Sequence, residues 1–325
     1  MSNQIPNKKV ENANYSYAFL IILMYIIYKE LVAVNPLDVL LWIFRRNEVD
    51  VVNLYDTLSS IMQISTGGNM LNFGYWDENI LDPYQAQVRL CKIIGQMAEL
   101  ESAHKVLDVG SGFSEPAIIW RSEFPKIGIV CSNINSNQLK FAKDLIQKRS
   151  YPSTESSIDE RQIELVNCTS SSMPFSNKFF DRVIALESAQ HFKPLDRFVK
   201  ESRRVLKDRG LLVIALPVVS QSLKPEIFKL GILSFTWSSQ HYEFDMVRKI
   251  LTSSGFDVLK SDYIGSKVFV PLADYYRKNR EFLKSKIQKA YPSYVEKILY
   301  ISMQKMKEVS ERGVIDYILL KCAAK

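Results

Sequence analysis

The chain has 325 residues, 47% hydrophobic and 24% charged, which is long enough for one large core or two smaller ones and too apolar for disorder. Four widely spaced cysteines (Cys91, Cys131, Cys168, Cys322) without a CxxC pair, and only three histidines (His104, His191, His241), argue against a disulfide framework and against zinc, and fit a reducing, cytoplasmic setting. The net charge of +7 permits attraction to phosphate or anionic lipid without demanding either.

Residues 1–14 are polar. The run YSYAFLIILMYIIY, 15–28, follows, with no charge before Lys29 and Glu30. It is shorter than the ~20 apolar residues that span a bilayer, and no signal-type cleavage site follows it. It reads first as a buried or cap helix. An interfacial helix, and a tilted transmembrane helix extended to Val34, are its other readings. Residues 15–100 read mostly as helices, broken at Asn35–Pro36 and Gly67–Gly68, with a further apolar run at 40–44. TGGNMLNFGYWDE, 66–78, is glycine-rich and aromatic and reads as a shaped loop. Residues 82–100 have helical apolar spacing.

The pattern then changes. Short apolar runs at 104–109, 126–133, 163–168, 179–187 and 210–217 alternate with helix-like stretches at 115–124, 136–148 and 194–207. That alternation predicts a parallel sheet with helices on both faces. Residues 256–264 and 314–323 add a sixth and a seventh strand. Between them, 265–313 is helical and basic, either a solvated lid or a surface for lipid headgroups.

KVLDVGSGFSEP, 105–116, reads as a strand, a glycine turn and a helix start. A dinucleotide fingerprint would be G-x-G-x-x-G, but Glu115 stands at the third position. Asp108 lies two residues before Gly110, giving D-x-G-x-G. A carboxylate there repels a pyrophosphate and suits a ligand that carries a cation, such as an α-amino group. Gly110 and Gly112 let backbone approach that ligand. Ser114 is placed to cap the following helix. After the second strand, Asn133 is placed to meet ribose hydroxyls, or Asn133 and Asn135 cap the helix that starts near Ser136.

With these residues in place, the chain resembles the class I S-adenosylmethionine-dependent methyltransferases of small molecules. The resemblance rests on Asp108 through Gly112, Asn133 through Gln138, Met173-Pro174-Phe175, Phe180-Asp181, ESAQHF (187–192), Gly210 through Pro217, Ser254-Gly255-Phe256 and DYILL from Asp316. GGNMLNFGYWD and E-S-x-x-H narrow it to the tocopherol, sarcosine and natural-product sugar O-methyltransferase branch. The resemblance implies an α/β fold, a Rossmann-like seven-stranded methyltransferase sheet with an antiparallel last strand. It also implies S-adenosyl-L-methionine as cofactor, held by Asp108, Gly110, Ser111, Gly112, Asn133, Ile134, Gln138, Thr169, Ser170 and Glu187. Tyr75 and Trp76 close over it, where an aromatic face would stabilise a sulfonium. Thr169 stands where the family often has an acid for the adenine amino group, and Ser114 where it often has a third glycine.

By the same resemblance His191 takes the acceptor's proton, and Glu187, four residues earlier, orients His191 or contacts the cofactor. His241 reads as a helix-start or surface residue. The domain reading is an N-terminal helical cap, 1–100, with the cofactor-covering loop 66–78, and a core, 101–325, with the helical insertion 265–313. The expected function is methyl transfer to a small, lipophilic acceptor, with O-methylation favoured. The alternatives are a carbon or nitrogen methyltransferase of lipid or quinone metabolism, or a methyltransferase-like binding protein with weak turnover. No nucleic-acid partner is expected. A membrane surface could be met through 15–34 and 274–310.

Overall fold

The computed structural model describes residues 48–149, 163–219, 233 and 240–325. The 15–34 run, the Asn35–Pro36 break, the 40–44 run and most of the 218–240 connection lie outside the described residues.

The seven apolar runs become one sheet. β1 (Lys105–Val109), β2 (Gly128–Asn133), β3 (Ile163–Asn167), β4 (Phe180–Leu186), β5 (Leu206–Val219), β6 (Phe256–Tyr263) and β7 (Ile315–Ala324) lie in the order β3-β2-β1-β4-β5-β7-β6. β1 to β5 are mutually parallel, and β7 runs antiparallel between β5 and β6. The inner strands are buried nearly end to end because helices pack on both faces, so their sequences read as continuous apolar runs. Strand order reverses between β1 and β4. In such a sheet the crevice outside the carboxyl ends of these two strands is where ligands bind.

The helices are α1 (Glu48–Thr66), α2 (Pro83–Met97), α3 (Glu115–Glu123), α4 (Ser136–Arg149), α5 (Leu195–Val205), α6 (Phe244–Ser253), α7 (Phe269–Lys278), α8 (Arg280–Ile287) and α9 (Ser293–Glu311). α2 starts where Asp82 accepts a hydrogen bond from the Gln85 amide at 2.8 Å, with Pro83 in its first turn. Its buried stripe of Ala86, Leu90, Cys91 and Ile94 meets Trp120 of α3, whose indole N–H donates to the Cys91 carbonyl at 2.9 Å. At α4 the cap is Asn135, whose Oδ1 accepts from the amides of Asn137 and Gln138.

Two boundaries differ from the sequence reading. β5 begins at Leu206, inside the expected helix 194–207, where Leu206 already pairs with Phe180 of β4; Arg209, at a φ of +61°, lies in the irregularity before the pairing resumes at Leu211. Ser114 sits at the start of α3 with a φ of +57° and makes no cap bond; its hydroxyl donates to Ser111 Oγ instead.

The insertion folds as α7 to α9. Tyr276, Leu283, Ile287 and Val295 bury a common face with Ile61 of α1. This small third core ties the N-terminal helix to the insertion across the mouth of the main sheet. No helix among the described residues is long and apolar enough to cross a membrane.

Candidate active site

A cavity of about 500 Å³ opens at the switch point, at the carboxyl ends of β1, β2 and β4. Its floor is the glycine turn. Gly110 has a φ of +76°, and a Cβ there would lie 2.4 Å from Ser188 Cβ. Gly112, at φ +56°, leaves room only up to Leu71 at 3.4 Å. The amides of Gly110 and Ser111 both donate to the Ser132 carbonyl, which fixes the turn against β2. Ser188 Oγ donates to the Val109 carbonyl and ties β4 to the same turn.

Asp108 faces this cavity from β1. It is 2% exposed, and its Oδ2 is buried with no hydrogen-bond partner. Burial alone pushes its carboxyl up to about 7. An ionised carboxylate so placed is costly unless a cation or donor meets it. The site therefore carries an unmet demand for positive charge beside a turn shaped for close backbone approach.

Asn133, Ile134, Gln138 and Ser170 also line the cavity, with Ser111 beside them. Asn133 Nδ2 donates to Gln138 Oε1 at 2.8 Å and to the Gly112 carbonyl at 3.2 Å, and Asn133 Oδ1 accepts from the Asn135 amide. Of the two residues, Asn135 is the one that caps α4. Thr169 is not among the residues lining the cavity; its hydroxyl pairs with Ser171 in a tight turn, and Cys168 and Ser170 flank the space instead.

Glu187 ends β4 with a φ of +52° and is 8% exposed. Its Oε1 accepts from the Phe73 amide at 2.7 Å and from the Tyr317 hydroxyl at 2.6 Å. Burial pushes its carboxyl up to about 8, against the pull of these two donors. The carboxylate thus joins β4 to the loop before α2 and to β7, and does not bond to His191.

His191 lies on the rim, in the short turn Ala189–His191. Its Nε2 is 2.8 Å from the Tyr55 hydroxyl of α1, with the two rings edge to face, and 3.3 Å from Gln190 Nε2. Both contacts suit a neutral imidazole protonated on Nδ1, with Nε2 accepting. Burial, and then the nearby Glu187 charge, raise the Tyr55 hydroxyl far above the usual phenol range, so it stays protonated. His241 is half-buried at a φ of +52°, three residues before α6.

The expected cover by Tyr75 and Trp76 falls elsewhere. Gly74 lies so close to α2 that a Cβ would sit 2.3 Å from Ala86 Cβ. The Tyr75 amide donates to the Ala86 carbonyl and the Trp76 amide to the Lys267 carbonyl. This draws the segment away from the crevice, and Trp76 packs on Tyr275 of α7 and lines a second cavity of about 100 Å³. The cover over the main cavity comes from Asn69 to Asn72 and from α1. Gln87 donates to the carbonyls of Met70 and Asn72, and the buried Glu115 accepts from the Asn69 amide, the Tyr84 hydroxyl and Arg149. α1 is held down by Asn135 Nδ2 to Asp56 and Gln138 Nε2 to Ser59.

Sequence reasoning missed Tyr55 and Tyr317, and within the covering loop 66–78 it singled out Tyr75 and Trp76 where Asn69 to Asn72 line the cavity. Tyr317 lay in the quoted DYILL run; Tyr55 lies 136 residues from His191 and no local spacing links them.

A parallel sheet with an antiparallel seventh strand, a carboxylate-led glycine turn and a cavity at the switch point define a Rossmann-like fold whose site suits a ligand carrying a cation. Residues 107–214 match the family model described as a methyltransferase domain. The chain is 26% identical over 215 residues to methyltransferase GfsG of Streptomyces halstedii, across 65% of this chain and 74% of that one. It is 25% identical to the erythromycin 3''-O-methyltransferase of Saccharopolyspora erythraea, across 49% of this chain but only half of the relative's length. The cyclopropane synthase MmaA2 from Mycobacterium tuberculosis shares the fold, with a TM-score of 0.72 at 13% identity over 86% of this chain and 99% of that one. These likenesses indicate a class I S-adenosylmethionine-dependent methyltransferase of small molecules, with S-adenosyl-L-methionine as methyl donor.

Proposed function

We propose that the chain methylates a hydroxyl of a small, lipophilic acceptor and that His191 and Tyr55 carry the acceptor's proton. The observation that supports this reading is the 2.8 Å bond between Tyr55 and His191 Nε2 on the rim of the cavity that Asp108 faces. When bound, S-adenosylmethionine supplies an electrophilic methyl group on a sulfonium whose departure leaves a neutral thioether, so no acid is needed on that side. The chain's residues then have three tasks, namely to hold the donor, to align the acceptor and to take a proton.

For the first task, Asp108 would hold the α-amino group, with the Gly110–Gly112 turn giving backbone access to the amino-acid tail. Asn133, Ile134, Gln138 and Ser170 would surround the nucleoside. Glu187, anchored by Phe73 and Tyr317, would keep the β4 end and the covering loop in register. For the third, the acceptor hydroxyl gives its proton to Tyr55 Oη while Tyr55 gives its own to His191 Nε2. This exchange leaves a neutral phenol and an imidazolium. A lipophilic acceptor is supported by the apolar side chains that line the main cavity, among them Val52, Leu71, Phe113, Leu186 and Phe192. The domain division, a cap at 1–100 and a core at 101–325, and a cytoplasmic location belong to the same reading.

The test is release of S-adenosylhomocysteine with a panel of hydroxylated acceptors. His191→Ala is expected to lose about 10²- to 10⁴-fold in turnover with unchanged donor affinity. Undiminished turnover in that variant would overturn the assignment.

A further inference from the structure

We propose that the outer face of the helical insertion docks on an anionic lipid surface. The inference is independent of which atom is methylated.

Charge is the first observation. Residues 265–313 hold eleven of the 42 lysines and arginines and five of the 35 acids, so they carry +6 of the chain's net +7. The second is where the insertion's uncompensated charge lies. Its acids pair with Arg277, Arg280, Lys284, Lys305, Lys307 and Arg312. Lys278, Lys286, Lys289 and Lys297 are exposed and have no ion pair among the described residues.

The third observation concerns the apolar residues on the same surface. α8 buries Leu283 and Ile287 against α1, yet Phe282 points away from that core and is 55% exposed. The Lys286 ammonium lies 4.4 Å from the centre of its ring. On α9, Ile301 is 43% exposed one turn from Lys297. Bulky apolar side chains standing outward among unpaired lysines match an interfacial helix, whose rings enter the acyl boundary while its cations meet headgroups.

The experiment is cosedimentation of the full chain with vesicles of phosphatidylcholine alone or mixed with phosphatidylglycerol, at low and high salt. The variants are Lys286→Glu with Lys289→Glu, Phe282→Ser, and Lys200→Glu as a surface control, each checked for an unchanged Tm. Binding to anionic vesicles is expected, weakened by salt. It should fall by roughly 10²- to 10³-fold at low salt in the double charge reversal, several-fold in Phe282→Ser, and stay constant in the control. Equal binding to neutral and anionic vesicles at all salts would assign the attachment to residues 15–28 and overturn the proposal. So would unchanged binding in the double variant, absence of vesicle binding, or binding to a DNA duplex in its place.

Discussion

Replacing Asp108 by asparagine sets stability against donor binding, and the structure fixes the sign of both. The carboxyl is buried, has an unpartnered Oδ2, and is raised from an ordinary 3.8 to about 7 by burial. Between these two values the unfolded chain has released this proton and the folded chain still holds it. Stability from this group is therefore full below pH 4 and is lost as pH rises to 7. Three units at about 1.4 kcal/mol each give a loss of ~4 kcal/mol. An asparagine does not titrate, so its own unpaired cost is the same at every pH. The stability gap between the variant and the wild type should thus move by ~4 kcal/mol in the variant's favour between pH 4 and pH 8. At ~2 °C per kcal/mol for a chain of this size, that is several degrees in Tm. Ligand response should move the other way. Saturating S-adenosylhomocysteine at about 100 times its Kd stabilises the wild type by ~2.7 kcal/mol, and the variant much less. Thermal unfolding of both proteins at the two pH values, with and without that ligand, reads all of these effects. A gap that is constant with pH, or equal stabilisation by ligand, would refute the reasoning.

Three further outcomes follow from the site. Tyr55→Phe removes the hydroxyl 2.8 Å from His191 Nε2 and should cut turnover by about tenfold; calorimetry should find donor affinity unchanged, and wild-type turnover would exclude Tyr55 as the relay. Gly110→Ala places a Cβ 2.4 Å from Ser188 at a φ of +76°, and should cost ~2 kcal/mol or more in stability together with donor binding. Tyr317→Phe deprives the buried Glu187 of one of its two donors. That should lower stability at pH 9 by ~1–3 kcal/mol and by less at pH 6, because Glu187 is raised to about 8 and is protonated at the lower pH; denaturant melts at the two pH values measure it.

The inner strands were legible because they are buried on both faces and therefore read as unbroken apolar runs between turn residues. The turn at 110–112 was legible because glycine alone suits a φ of +76° packed against Ser188 at 110, and the φ of +56° at 112 favours glycine. What lay beyond reading was contact between distant segments. Glu187 and His191 are four residues apart, and that spacing suggested a shared helical face. The chain instead leaves β4 at a φ of +52° and makes a single short turn, which sends the carboxylate to β7 and the imidazole to α1. Tyr75 and Trp76 carried the right chemistry for a sulfonium. The close approach of Gly74 to α2 is a packing fact that composition does not encode, and the Trp76 ring that follows it packs on Tyr275 of the insertion.

That diversion has a consequence for acceptor access. The loop 69–76 has the main cavity on one side, through Asn69 to Asn72, and the second cavity on the other, through Phe73, Gly74 and Trp76, with Asn72 bordering both. Its amides are committed to Glu115, Glu187 and Ala86, and its carbonyls to Gln87, so the loop is a fixed partition. The partner that can yield is α1. It reaches the main site through Tyr55, Asp56 and Ser59, which make polar contacts with His191, Asn135 and Gln138, while its apolar hold through Ile61 lies further along the helix, on the insertion. Opening of the main cavity should therefore proceed by release of the polar contacts at Tyr55 to Ser59, with Ile61 as the pivot. Amide exchange in α1 should then be faster at 52–59 than in the 69–76 loop, and slowed by S-adenosylhomocysteine.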